Sequence, residues 1–345
     1  MNTITTSNRI IEIDIAKGIG ILFVILGHTT LWETPIHNFI YSFHMPLFFF
    51  LSGLVMKDFS YNTIRKECQK LWANYLVWSF LFCFFDIFSN FSDIQSLKEI
   101  STNNALLFLS LWGISVLWFI PSLILAKYFV FFLKKACPQF ALQLIILSFS
   151  VLIALWLRAF VFEWKELDNF YSQIAYFSIG TLVRFLTQVP FVFIGTYSKT
   201  ILKNIINLSH YICLLIGSVL FVIVYIASQF MGRIDIHELQ LSIYPIFLII
   251  ALLGCYATIL WSHAMNKFDT LSSTFLFLGR NSLFIMVTHN YFLVPDSIVL
   301  FLHILNISTP FYMPIYYALL FFIEFILIRF LSPIINHILS FFCKT

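Results

Sequence analysis

Apolar residues occupy this chain in long runs, and polar residues gather in short stretches between them. A membrane-spanning helix needs roughly 20 mostly apolar residues. Measured so, the pattern predicts about ten transmembrane helices, near residues 11–32, 37–56, 71–90, 107–133, 140–161, 171–197, 208–230, 240–262, 275–301 and 311–332. The fourth and sixth runs are long, and each contains a proline. No repeat, low-complexity linker or polar domain interrupts the series. The expected fold is an all-α integral membrane bundle: one domain over residues 1–345, with no appended extracytoplasmic domain.

Composition agrees with the pattern. Sixty per cent of the 345 residues are hydrophobic and only 10% are charged, against roughly 25% charged in soluble domains. The net charge of +4 is distributed by loop. Arg9, Lys17, Lys57, Arg65, Lys66, Lys70, Lys134, Lys135, Lys199, Lys203, Lys267 and Lys344 fall on one predicted side. Lys98, Lys165 and Arg233 fall on the other, among Asp93, Glu99, Glu163, Glu166, Asp168, Asp235 and Glu238. Lys and Arg collect on the cytoplasmic side of membrane proteins, so both termini are expected in the cytoplasm and no nucleic-acid partner is expected. Cys68, Cys83, Cys137, Cys213, Cys255 and Cys343 are dispersed, with no CxxC and no His/Cys cluster. Neither a disulfide framework nor a metal site is predicted. The first apolar run ends in "HTTLWET", without the small-residue cleavage pattern of a signal peptide.

In so apolar a chain each intramembrane ionisable residue needs a partner or a task. Lys17 and His28 bracket "KGIGILFVILGH", eleven positions apart. At 100° per residue that is about 1100°, some 20° past three turns, so one helix face carries both, about 16 Å apart along the axis. Lys17 is expected at the cytoplasmic mouth and His28 deep in the bilayer. The structural alternative is a snorkelling lysine and a histidine bonded to a neighbouring helix. His44 precedes Pro46 in "FHMPLFFFLSGL", where the proline frees a backbone carbonyl and favours a kink. A short loop joins its helix to the first, so His44 is a candidate for the same cavity or for the outer interface.

Arg65, Lys66 and Lys70 cluster in "IRKECQKLW" on the predicted cytoplasmic side. They suit a polyanion such as a phosphate-bearing ligand, or simply anionic lipid. Trp118 is placed to stack on a ligand or to pack, and Arg184 and Lys127 lie where snorkelling is feasible. Asn281, Ser282 and His289 share "GRNSLFIMVTHN". On a continuous helix Asn281 and His289 would be about 80° apart, within one broad polar face. Glu324 and Arg329 stand about 140° apart on the last helix, so each needs a partner elsewhere.

"IDIAKGIGILFVILGH", "FHMPLFFFLSGLVMK", "LWFIPSLIL", "VPFVFIGTYSK" and "FLGRNSLFIMVTH" resemble, in order, segments of the acyltransferase-3 family of integral membrane acyltransferases. The resemblance is closest to bacterial members similar to fucose 4-O-acetylase. Lys17 and His28 match the family's opening signature of Arg or Lys, ten residues, then His. One departure stands out. Where the family often carries Arg-x-x-Arg, this chain has Glu67 and Lys70, with Asn74 where proline is usual.

The resemblance implies an O-acyltransferase of the bacterial cytoplasmic membrane. The donor would be acetyl-CoA or another acyl-CoA, and the acceptor a hydroxyl of a cell-surface glycan or its lipid-linked precursor. It implies His28 and His44 as catalytic residues, His28 acting as general base or as acylated nucleophile, with the general base preferred. Lys17, Arg65, Lys66 and Lys70 would hold the CoA phosphates, and Asn281, Ser282 and His289 would polarise the thioester carbonyl. No metal is implied. The rival reading of the same composition is a secondary transporter or a flippase-like protein without acyl transfer; a transporter would commonly show inverted repeats.

Overall fold

The structure, a computed structural model, describes residues 10–29, 34–56, 60–90, 94–165, 170–291, 294–305, 307 and 312–342. Of the residues singled out above, Arg9, Lys57, Asp93, Glu166, Asp168, Cys343 and Lys344 lie outside them. The helices in chain order are α1 (Ile11–Thr29), α2 (Pro35–Tyr41), α3 (His44–Leu54), α4 (Tyr61–Ser89) and α5 (Ile94–Leu109). A 3-10 turn (Ser115–Trp118) leads into α6 (Phe119–Ala136), followed by α7 (Phe140–Lys165), α8 (Phe170–Tyr197), α9 (Lys199–Ile206) and α10 (His210–Ser228). Then come α11 (Tyr244–Met265), α12 (Asp269–Arg280), α13 (Ser282–Thr288), α14 (Val294–Ile304) and α15 (Tyr312–Phe342). Among the described residues there is no strand, only an isolated bridge between Asp235 and Gln240.

Each of the ten apolar runs includes helix among the described residues, but they are not ten uninterrupted spans. Seven helices among the described residues are long and apolar enough to cross a membrane, or eight if α12 and α13, bent by 65°, form one span. Of the remaining runs, α1 carries Glu12, Asp14 and Lys17 within 19 residues. The second run is divided between α2 and α3. Pro46 explains the division: it sits in the first turn of α3, where its missing N–H costs nothing, and it could not continue a helix from α2.

The chain folds as two compact units. In the first (residues 1–51, 197–234 and 241–286), α1 packs against α2, α11 and α12, and α10 lies along α11. Ile15, Ile21, Ile25, Phe43 and Phe247 are fully buried there. In the second (residues 52–196, 235–240 and 287–345), α4 packs against α5, α6 and α15, around buried Trp78, Phe82 and Phe131. The outward faces are also apolar. Phe80 is 70% exposed, Leu215 66%, Ile145 65% and Trp156 63%. Apolar surface of this extent is stable against lipid tails and not against water. The chain is a multi-pass, all-helical membrane protein.

Candidate functional site

Two glycines set the geometry of the first unit. A side chain at Gly18 of α1 would overlap the Phe275 carbonyl of α12, and one at Gly279 of α12 would overlap the Asp14 carbonyl of α1. The two backbones therefore touch, as small residues permit in membrane helices. Each glycine adjoins a cation: Lys17 before Gly18, Arg280 after Gly279. Backbone contact brings these cations to opposite sides of one carboxylate. Asp14 Oδ1 lies 3.7 Å from Lys17 Nζ, and Asp14 Oδ2 lies 3.9 Å from Arg280 Nε. Asp14 is buried, Lys17 partly so, and Arg280 exposed. Both distances are those of ion pairs and are too long for strong hydrogen bonds. Beneath them Glu12 Oε1 lies 3.4 Å from His263 Nδ1 and 3.4 Å from Asn266 Nδ2, tying α1 to α11. Arg280 was not among the residues singled out from sequence; its signal was the neighbouring "GRNS" stretch.

His28 occupies the last turn of α1. It shares the Lys17 face by phase, as the spacing requires, but its ring is exposed on the chain's surface and not enclosed within the first unit. Burial therefore does not single it out. Its turn is nonetheless closely packed on α2: a Cβ at Gly27 would come within 3.1 Å of Tyr41 and 3.2 Å of Ile40. Those two residues also hold His44. The buried His44 ring donates Nδ1–H to the Ile40 carbonyl at 2.9 Å and meets Tyr41 edge-on with centroids 4.8 Å apart. With Nδ1 committed as donor, neutral His44 carries its lone pair on Nε2. His37, which sequence reasoning passed over, stacks on the same Tyr41 at 3.9 Å and is also buried. Gly27, Tyr41 and Ile40 thus link the His28 turn to His44.

In the second unit Arg65, Lys66 and Lys70 are exposed along the first turns of α4. Glu67, at the departure from the family pattern, is occupied: its Oε2 accepts from Lys127 Nζ of α6 at 2.6 Å. Lys127 is 4% exposed, so it is a buried partner and not a snorkelling residue. Arg184 does not snorkel either. It is 1% exposed, donates Nη1 to the Trp112 carbonyl at 3.0 Å, and bonds the His237 carbonyl through Nε at 3.1 Å and through Nη2. Its guanidinium lies 3.3 Å from the Trp112 ring centroid and 5.3 Å from that of Trp118, so Trp118 packs on a structural cation.

The polar stretch near residue 281 is not one helical face. Asn281 and Ser282 stand at the break between α12 and α13, and the Asn281 amide donates Nδ2–H to the Phe277 carbonyl at 2.8 Å. The bend removes the regular phase on which an 80° separation from His289 rested. His289 is buried, next to Thr288, whose hydroxyl donates to Glu324 Oε2 at 2.8 Å. Glu324 thereby has the interhelical partner that its position demanded. Among the described residues no group of His, Cys, Asp and Glu could hold a metal ion.

Comparison with known proteins adds the family. The acyltransferase domain family matches residues 10–329. Nodulation protein NolL of Mesorhizobium japonicum is 34% identical over 95 residues, which are 21% of this chain and 25% of that protein. The match thus spans a quarter of the length of that curated relative. No solved structure matches the chain. With the "KGIGILFVILGH" helix, the histidines packed about Tyr41 and a family match across nearly the whole sequence, the chain belongs to the acyltransferase-3 family of integral membrane acyltransferases.

Proposed function

We propose that the protein transfers an acyl group, acetyl in the simplest case, from cytoplasmic acyl-CoA to a hydroxyl of a cell-surface glycan or of its lipid-linked precursor, at the bacterial cytoplasmic membrane. The observation that carries this reading is α1 itself: Lys17 and Arg280 flank Asp14 at one end, and His28 ends the same helix face about 16 Å further on. Phosphate groups carry several acceptor oxygens and pair strongly with Arg and Lys donors. Lys17 and Arg280 suit the charged end of CoA, and an extended pantetheine arm is long enough to bring its thioester to the His28 turn. Arg65, Lys66 and Lys70 form a second cationic patch of the same chemical preference.

In the reaction the acceptor hydroxyl oxygen bonds to the thioester carbonyl carbon and its proton passes to a ring nitrogen of His28. The carbon–sulfur bond then breaks, and CoA leaves as the thiol with that proton. General-base catalysis requires hydrogen-bond reach to the hydroxyl, and an exposed imidazole offers it. His44, fixed by Ile40 and Tyr41, is suited to orienting the acceptor. The deciding experiment measures CoA release and CoA binding in membranes carrying the wild-type chain or His28→Ala. Transfer lost with binding kept supports the reading, whereas full transfer by His28→Ala overturns it.

A further inference from the structure

Helix α5 falls where the hydropathy pattern predicted a loop, and its polar residues are not scattered. Gln95, Lys98, Glu99, Thr102 and Asn103 follow the i, i+3, i+4, i+7, i+8 spacing of a single helix face, and all five are exposed. With Phe170 and Gln173 of α8 they line a groove of about 630 Å³. A second hollow of about 500 Å³ shares Thr102, Leu106 and Phe170 with it and reaches Ser110 and Ser178.

The walls are held in place from behind. On another side of α5, Asn104 donates Nδ2–H to Asp86 Oδ2 of α4 at 2.8 Å, and Asp86 Oδ1 accepts from the Tyr291 hydroxyl at 2.5 Å. Tyr75 donates to the Phe108 carbonyl at 3.1 Å, its ring stacked on that of Phe108 at 5.4 Å. Thr181 of α8 donates to the Ser110 carbonyl at 3.1 Å. A groove fixed in advance binds without first ordering its own walls.

The lining selects the ligand. Gln95, Asn103 and Gln173 each offer an amide with donor and acceptor side by side, and Thr102 adds a hydroxyl. Lys98 and Glu99 cancel in charge, so no net cation awaits a phosphate. Phe170, 55% exposed, presents a ring face. Paired donors and acceptors beside an aromatic face match a saccharide, whose hydroxyls both donate and accept and whose ring exposes C–H groups on one side. An acyl chain would require an apolar lining, whereas six of the eight residues that line this groove are polar, Leu106 and Phe170 being the others. Lys98 and Glu99 also belong to the loops that charge predicts to be extracytoplasmic. We propose that the α5–α8 groove is a saccharide-binding site that docks the glycan acceptor; its role as acceptor site rests on the acyl-transfer reading above.

The test uses the full chain in lipid nanodiscs and the methyl glycosides of glucose, galactose, mannose and fucose, without acyl-CoA. Saturation-transfer NMR is expected to detect at least one probe bound by wild type. Binding should weaken roughly tenfold in Asn103→Ala and in Phe170→Ala. CoA binding is read in the same variants, and its retention shows that they fold. No probe bound, or equal binding by folded variants, overturns the site. Transfer assays separate the two readings. Groove variants that acylate glycan normally while His28→Ala does not would sink the acceptor site and leave the enzyme standing. Saccharide binding lost in the variants, in a wild-type protein that consumes no acyl-CoA, would keep the site and remove the enzyme.

Discussion

Gly279 lies flat against the main chain of Asp14, so that any Cβ there would overlap the Asp14 carbonyl oxygen. The obstacle is backbone on both sides, which cannot swing aside like a long side chain. Gly279→Ala is expected to destabilise the protein by about 1–3 kcal/mol through overpacking and to separate Lys17 from Arg280. Thermal unfolding of the purified protein, followed with CoA binding, checks both effects. An unchanged Tm would show that α1 and α12 do not touch as described.

The cations beside that contact should serve binding more than chemistry. Lys17→Ala and Arg280→Ala are each expected to weaken acyl-CoA affinity by about 1.5 kcal/mol, roughly tenfold, with kcat less affected. Because both cations are partly or wholly exposed, the difference should shrink as salt is raised. Titration of CoA at low and high ionic strength measures it.

His28 should do the reverse. His28→Ala is expected to lower kcat by roughly a hundredfold to ten-thousandfold, the range for losing a general base, with little change in CoA affinity. A single-turnover assay without acceptor tests the mechanism further. An acyl-imidazole trapped under those conditions would replace the general base by a nucleophile.

Glu67 and Lys127 form a pair with one partner buried. Glu67→Gln leaves the Lys127 ammonium unpaired in an apolar setting, at an expected cost of about 3 kcal/mol. Glu67→Gln combined with Lys127→Met removes both charges and should recover most of that loss. Comparing Tm for the single and double variants separates the pair from ordinary packing.

A pH effect is expected at the loop between α10 and α11. Burial holds the His237 imidazole below its ordinary pKa, with the hydrogen-bonded Glu238 carboxylate pulling the other way and the Arg184 cation adding to the depression. The unfolded chain therefore takes up a proton at higher pH than the folded one, and stability falls as pH drops through the ordinary imidazole range. His237→Asn should flatten the dependence of Tm on pH between about 7 and 5.

The helices were legible in the sequence because hydropathy reports burial in lipid directly. Each of the ten apolar runs includes helix among the described residues, and Pro46 marked the division of the second. What hydropathy could not show was partnership. Lys127 and Arg184 both looked like snorkelling residues, since a lone cation in an apolar run gives no hint of a carboxylate sixty residues away or of a carbonyl on a distant loop. Arg280 went unremarked because its role depends on a backbone contact between Gly279 and Asp14, which belongs to tertiary structure. The stretch containing α5 read as a loop because it is polar, although its spacing was helical throughout. Phase failed once, at Asn281, where the bend ended the regular helix on which an angular argument depends.

The Arg184 pin has a consequence for the order of synthesis. Its guanidinium needs the carbonyl of His237, 53 residues further along the chain. While α8 is being inserted only its Trp112 partners have been made, and the acceptor for Nε and Nη2 is still to come. The hydrogen bonds of Arg184 are therefore completed only once residues 235–240 have been made. Maturation of the second unit is in this way timed by a loop that α10 and the first half of its hairpin must precede.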